Sequence, residues 1–293
     1  MVSYNKQILQ AYRTAPILNI DDGSRIVIMS DCHRGAGNPA DDFGKNQTIY
    51  CAALKAYNRQ GFTYVELGDG DELWENKRMS DIEAAHGNVF RILRQFFLAN
   101  RLWMLYGNHD MVKRCRPLLL DSIYDDISGT QFPLFPGLIV RESLLLHYSP
   151  TGNEILLLHG HQVDFFNNAL WRLARFLVRY VWQRLNLVGF GDPTSAAKNN
   201  RVKFKVEQRL TRWAAENGTP VISGHTHRPV FPMPGQGGYF NDGCCIHPWS
   251  ITAIEIVAGT ISLVKWGQRT EGDDVVRIGK DTVAGPRRLT AYW

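Results

Sequence analysis

An α/β sandwich is the fold class that this 293-residue sequence predicts, and two features predict it. In the first half, β-rich apolar runs alternate with helix-length stretches, and each run ends in a cluster of polar residues. In the second half, short β-rich runs dominate, and two more of them end in polar clusters rich in histidine. The composition, 44% hydrophobic and 21% charged, supports a substantial core.

Residues 1–24 predict a short helix and a polar lead-in. Arg25-Ile26-Val27-Ile28-Met29 predicts a strand that ends at Ser30-Asp31-Cys32-His33-Arg34-Gly35, followed by a helix over about 46–60. A second strand over 63–67 ends at Gly68-Asp69-Gly70-Asp71-Glu72, and a helix over about 82–99 follows. A third strand over 102–106 ends at Gly107-Asn108-His109-Asp110. Residues 138–147 and 154–158 predict a hairpin whose second arm ends at His159-Gly160-His161-Gln162. Residues 220–223 predict a strand that opens into Gly224-His225-Thr226-His227-Arg228-Pro229. Short strands over 238–241, 251–257 and 260–266 come after it. The polar tail from Gly267 carries one more strand signal, over 275–278, and no chemical motif.

Several classes are disfavoured on composition. The five cysteines lack Cys-x-x-Cys spacing, which argues against a disulfide framework or a zinc knuckle and for a reducing compartment. The first residues lack the basic-then-apolar pattern of a secretory signal, and no apolar run is long enough for a membrane span. A soluble, cytoplasmic protein is expected. The net charge of +5 is uneven: residues 165–217 hold ten Lys and Arg against three acids, a net of +7, and the remainder sums to −2. An anionic partner should meet the protein at that segment.

Five strand ends thus carry Asp-x-His, Gly-Asp-x-x-Glu, Gly-Asn-His-Asp, His-Gly-His and Gly-His-x-His. Residues i and i+2 of an extended chain project to one side, so His225 and His227 can aim at one point or at two neighbouring ones. Carboxylate and amide oxygens mixed with imidazoles suit borderline divalent ions such as manganese, iron or zinc, and the lack of thiolates argues against a structural zinc site. Any one cluster could be a chance loop; five at strand termini point to a metal centre at the carboxyl edge of a sheet. A pair of ions would need a carboxylate able to bridge them.

In order and spacing, over about residues 25–245, these blocks resemble the calcineurin-like metallophosphoesterase superfamily. The resemblance implies a four-layer α/β/β/α sandwich and a centre of two divalent ions, manganese first, with iron and zinc as alternatives. It implies that Asp31, His33 and His227 serve one ion, that Asn108, His159 and His225 serve the other, and that Asp69 bridges them. His109 would lie beside the ions, stabilising the transferring phosphoryl group or protonating the leaving oxygen. Asp110 is read with it as a catalytic pair, either hydrogen-bonded to His109 or capping the next helix. Arg34 is a candidate phosphate contact, with a solvated loop arginine as the plain alternative. Asn241 matches an element that closes the family's site from behind and counts with the substrate-binding candidates. Glu72 is read as orienting a loop or capping a helix, and His161 as supporting a ligand, with metal binding as the lesser alternative. His86, His147 and His247 are read as structural or exposed, and the Cys244-Cys245 pair as buried packing.

A single domain is expected, with residues 165–217 forming a helical cap inserted in it. Over 169–185 the apolar residues cover most of a helix surface, while Arg172, Arg175 and Arg179 fall on one stripe at spacings of three and four. Two compatible readings stand: a lid helix packed on a second helix over about 198–216, or a cap whose apolar groove and arginine edge take an anionic lipid or nucleotide. The second reading makes the substrate a phosphorylated small molecule or a lipid-linked one, and allows peripheral contact with a membrane. The position of the insertion is similar to that in UDP-2,3-diacylglucosamine hydrolases, which cleave a pyrophosphate in a lipid-linked nucleotide sugar. One departure is His109, where many of those hydrolases carry arginine. A nuclease of the same superfamily is disfavoured because the basic segment is an apolar helix rather than aromatics on a basic sheet. A metal-bound scaffold without turnover is disfavoured by the intact motif residues.

Overall fold

The computed structural model of the protein describes residues 4–114, 123–125, 129–164, 176, 200–270 and 275–293. Two sheets face each other across an apolar interior, and each carries helices on its outer face, as the α/β/β/α expectation requires. The first sheet contains β1 (Ile17–Ile20), β7 (Ser143–Tyr148), β8 (Asn153–Leu158), β9 (Val221–Ser223) and β10 (Tyr239–Asn241), in that order. The second has six strands in the order β13-β12-β11-β2-β3-β4. These are β13 (Val276–Arg288), β12 (Thr260–Thr270), β11 (Ser250–Val257), β2 (Arg25–Met29), β3 (Thr63–Leu67) and β4 (Leu102–Leu105). A separate two-stranded ribbon joins β5 (Ile123–Asp125) and β6 (Thr130–Phe132).

The period of two along each strand divides the apolar residues between three layers. In β2, Ile26 and Ile28 enter the interior between the sheets, and Val27 and Met29 face the outer helices. In β8, Ile155 and Leu157 point inward, and Leu156 and Leu158 point outward. The outer face of the six-stranded sheet is covered by α2 (Gln47–Arg59), α3 (Met79–Ala85) and α4 (Gly87–Leu98). One stripe of α2, with Ile49, Tyr50, Ala53, Leu54 and Tyr57, is buried there, as helical periodicity demands.

The other outer face is covered by α1 (Tyr4–Thr14) and α5 (Asn200–Asn217). Val206, Leu210, Trp213 and Ala214 of α5 pack with Ile8, Leu145 and Leu156. The helix expected over 198–216 therefore exists, but it is a layer of the sandwich rather than part of a lid. Residues 165–175 and 177–199, with Arg172, Arg175 and Arg179, lie outside the described residues.

The helix expected over 82–99 is two helices. His86 breaks it at φ −120°, and its ring is held between Gln47 Oε1 at 2.7 Å and Asp41 Oδ2 at 2.8 Å. The four-residue β1, paired in parallel with β7, left no periodic signal in the lead-in. β13 runs well beyond the expected 275–278, because pairing with β12 carries it through Gly279 and Pro286, residues that weaken a strand signal in sequence.

Candidate metal centre

The topology places the five motif loops together. β2, β3 and β4 are parallel neighbours, so the loops after Met29, Leu67 and Leu105 leave the same edge of one sheet. β8 and β9 are parallel neighbours in the other sheet and deliver the loops after Leu158 and Ser223. The loops are tied directly: Asp31 N–H donates to Gly68 O at 3.1 Å, His33 N–H to Asp69 O at 2.9 Å and Gly224 N–H to His159 O at 3.1 Å.

Local backbone geometry turns the side chains inward. Asp31, His33, Asp69, His225 and His227 all have φ between 47° and 68°. That left-handed region is uncommon for non-glycine residues and costs of order 1 kcal/mol each, so their clustering marks a functional site. Two glycines make the close approach. A Cβ on Gly107 would lie 2.1 Å from Asp69 Oδ1, and one on Gly224 would lie 2.4 Å from Asp31 Oδ2.

Three groups of side chains present ligand atoms within 4.8 Å of one another: Asp31, His33 and His227; Asp69, His159 and His225; and His33, Asp69 and His109. Asp31 Oδ1 is 3.1 Å from His227 Nε2 and 3.7 Å from His33 Nε2. Asp69 Oδ2 lies between the first two groups, 3.8 Å from His33 Nε2 and 3.2 Å from His159 Nε2.

Hydrogen bonds at the far sides of the rings decide which nitrogen is available. His159 Nδ1 can only donate to the carbonyl of Leu67, at 2.9 Å, so Nε2 keeps its lone pair. His33 Nδ1 faces the carboxylate of Glu72 at 2.9 Å, which again leaves Nε2 for the centre. The result is a set of lone pairs aimed at carboxylate oxygens. Asp31 Oδ1, Asn108 Oδ1 and His159 Nε2 are buried without any hydrogen-bond partner. Such groups are costly unless something satisfies them. Burial alone would lower the pKa of His159, yet Asp69 and Asp31 push it up to about 9. The field that holds a proton so firmly also suits a divalent cation, and the mixed oxygen and nitrogen donors fit one. The residues present therefore fit metal binding.

His109 sits at the mouth, its side chain 22% exposed against 0% for His159. Its ring stacks on Trp74 at 4.2 Å, and its Nδ1 meets the same Glu72 carboxylate at 2.8 Å. Its backbone N–H donates to Asp69 Oδ1 at 2.8 Å. Burial lowers its pKa, but Glu72 and Asp69 together raise it above the ordinary value. Glu72 in turn is held at about 2: burial opposes this, and His109 and His33 overcome it. Glu72 also accepts from Trp74 N–H at 3.2 Å, so the loop-orienting role expected of it is present. Its grip on two histidines was not foreseen, although its place three residues after Asp69 was visible.

Three substrate or catalytic expectations are corrected. Arg34 is not at the surface: it is fully buried, with both Nη atoms on Glu66 at 2.8 and 2.9 Å and its Nε on Asp71 at 2.7 Å. A guanidinium saturated by two carboxylates cannot meet a phosphate, and it ties the Asp31 loop to β3 instead. Asp110 does not touch His109. Its carboxylate accepts from Gly107 N–H at 2.7 Å, Gly70 N–H at 3.2 Å and Lys113 Nζ at 2.8 Å, and Lys113 also reaches Asp71 at 2.6 Å. The chain Glu66–Arg34–Asp71–Lys113–Asp110 is a buried frame behind three metal loops. Asn241 is fully buried too, and its amide donates to Gly224 O at 2.7 Å and Thr226 Oγ1 at 3.2 Å. It holds the histidine loop rather than substrate.

Ser30 and Asp242 were not singled out in the sequence. Ser30 Oγ is 2.5 Å from Asp31 Oδ2 and 2.7 Å from Asp242 Oδ1. Burial and then Asp31 push the pKa of Asp242 well up. His161 is buried beside His159, ring centroids 5.5 Å apart, but joins none of the three groups. His86 is buried in packing as expected, and His247 meets the carbonyl of His227 at 3.1 Å. Cys244 and Cys245 are buried free thiols.

No curated protein matches the chain. Among solved structures it is similar to a single mutant of Vps29 from Entamoeba histolytica, at 16% identity over 89% of this chain and 99% of that one, with a TM-score of 0.38. Vps29 from Chaetomium thermophilum is similar at 10% identity over 88% and 96%, with a TM-score of 0.37. The cold-active protein-tyrosine phosphatase of a psychrophilic Shewanella species is similar at 12% identity over 89% and 81%, with a TM-score of 0.40. The family model described as calcineurin-like phosphoesterase matches residues 24–245, about three quarters of the sequence and all five motif loops. The chain belongs to the calcineurin-like phosphoesterase family.

Proposed function

We propose that this protein hydrolyses phosphoesters with two divalent cations, one held by Asp31, His33 and His227 and one by Asn108, His159 and His225, with Asp69 shared. The observation that carries the reading is the set of buried, unpartnered ligand atoms Asp31 Oδ1, Asn108 Oδ1 and His159 Nε2. When bound, such cations supply Lewis-acid neutralisation of phosphoryl charge and an acidified water. The protein's own groups do the rest. Glu72 and Leu67 O fix the rings of His33 and His159 with Nε2 inward. His109, whose pKa Glu72 and Asp69 raise and whose ring stacks on Trp74, is placed at the site's mouth to give a proton to the departing oxygen. Positioning and electrostatics supply most of the rate in such reactions.

Manganese is the ion we propose first. The finer substrate reading is a pyrophosphate of a lipid-linked nucleotide sugar, as in the UDP-2,3-diacylglucosamine hydrolases. What supports it is the apolar helix pattern over 169–185 with the Arg172, Arg175 and Arg179 stripe, which we propose as a cap that meets an anionic, lipid-bearing substrate at a membrane surface. No described helix is long and apolar enough to cross a membrane.

The test is a panel in Mn²⁺ of p-nitrophenyl phosphate, bis-p-nitrophenyl phosphate, nucleoside diphosphate sugars with and without acyl chains, and single-stranded DNA. Hydrolysis that disappears in Asp69→Ala is expected. A metal-loaded protein inert on every substrate would leave the scaffold reading, and DNA cleavage would promote the nuclease.

A further inference from the structure

The loop that carries His225 and His227 is gripped from outside by two carboxylates that no motif marks. Asp164, just beyond the His159 loop, is buried and places Oδ2 3.3 Å from His225 Nε2. Glu207, two turns into α5 and buried, accepts from Thr226 Oγ1 at 3.2 Å and from Arg228 Nε at 3.0 Å, with a second contact to the Arg228 guanidinium. Thr226 lies between the two histidines, and its hydroxyl oxygen also accepts from Asn241. An unbroken line Asn241–Thr226–Glu207 therefore crosses the loop from the inner side to α5. The two outer anchors are themselves joined, because Arg209 of α5 donates to the carbonyl of Val163, the neighbour of Asp164.

The chemistry of the Asp164 contact is specific. A ring nitrogen facing a carboxylate carries the hydrogen, so His225 donates from Nε2 and keeps its lone pair on Nδ1. A carboxylate behind an imidazole fixes the tautomer, orients the ring and makes the inward nitrogen a better donor to a metal. His33 and His159 are set by Glu72 and Leu67 O with Nε2 inward; His225 is set the opposite way round. Glu207 adds no bond to either imidazole. It pins the backbone from which both project, at residues held in left-handed conformations that cost energy to maintain.

We propose that Asp164 and Glu207 are positioning residues for metal binding: Asp164 selects Nδ1 of His225 as the ligating atom, and Glu207 holds the loop that gives each ion one histidine. The inference rests on the two-cation reading above. It makes cation affinity depend on two residues outside every motif loop, one at each border of the stretch 165–206.

Calorimetric titration of the full chain with Mn²⁺, after chelation, tests this together with the melting temperature of the chelated protein. Asp164→Ala should weaken one of two Mn²⁺ steps by about 10- to 100-fold and leave the other. Asp164→Asn, whose Oδ1 still accepts from Nε2–H, should stay within a few-fold of the wild type. Glu207→Ala should weaken both steps, since a histidine of each set rides on the loop. Asp164→Ser removes the same contact and serves if the alanine variant does not fold. Unchanged Mn²⁺ steps in Asp164→Ala or Asp164→Ser would overturn the proposal, as would equal losses in the Asn and Ala variants. A wild-type chain that binds no Mn²⁺ would sink the two-cation reading itself, which separates the two failures.

Discussion

Glu72 is one carboxylate serving two imidazoles, and its removal should be felt at both. Glu72→Gln keeps one acceptor oxygen, so His33 and His109 can no longer both be held. We expect kcat on p-nitrophenyl esters to fall by about 10- to 100-fold with weaker Mn²⁺ binding; steady-state kinetics at saturating Mn²⁺ would show whether both effects occur. Arg34 lies deeper and makes a different prediction. Arg34→Met leaves Glu66 an uncompensated buried charge and Asp71 with Lys113 alone, a loss of about 3–5 kcal/mol on breaking such a pair. Urea unfolding should register that loss, and a variant of normal stability with a raised KM would restore the phosphate-contact reading. Glu75 supplies a pH effect. Burial and then Glu72 raise its pKa from 4.5 to about 7. The folded state therefore binds more protons than the unfolded state between about pH 4.5 and 7, and this group makes stability fall as pH rises through that window. In the chelated protein, Glu75→Gln should remove that slope from the melting temperature between pH 5 and 8; an unchanged slope would refute the assignment.

Among the elements, the loops are held as firmly as the strands. Asn46, just before α2, is fully buried and points its amide at the carbonyls of Cys245, His247 and Ser250, at 2.8, 2.6 and 3.3 Å. It pins the connection between β10 and β11, beside the site. Asn46→Ala should cost about 1–3 kcal/mol through the carbonyls left unpaired, and limited proteolysis should then cut near residue 247 where the wild type resists. The strands β2, β3, β8 and β11 were legible as short apolar runs because consecutive residues in them are buried, on both faces of the sheet. The break between α3 and α4 was not legible: it depends on Asp41 and Gln47 meeting His86, contacts made only after α2 packs. α5 shows the same limit. Its length was readable from sequence, but whether it lies on a sheet or over the site depends on which apolar surface Val206, Leu210 and Trp213 find.

For the molecule as a whole, the metal centre and the fold should be coupled. The site groups lie in loops that leave strands of both sheets, and an ion that binds only the folded chain stabilises it by mass action. Mn²⁺ at about 100 times its dissociation constant should add about 2.7 kcal/mol per site. Thermal melts should rise with Mn²⁺ and return to baseline with chelator; a melting temperature indifferent to both would argue against binding. The sequence by itself determined the α/β class, the strand ends and the residue types gathered there, because apolar β-rich runs and short polar motifs are local properties of the chain; the two-sheet order was what the family resemblance implied. Tertiary structure alone decided what each polar group faces: Arg34 meets Glu66 rather than phosphate, Asp110 meets Lys113 rather than His109, and Glu72 meets two histidines at once. Hydrogen bonding and charge pairing act across space between residues far apart in the chain, and sequence spacing carries no record of that.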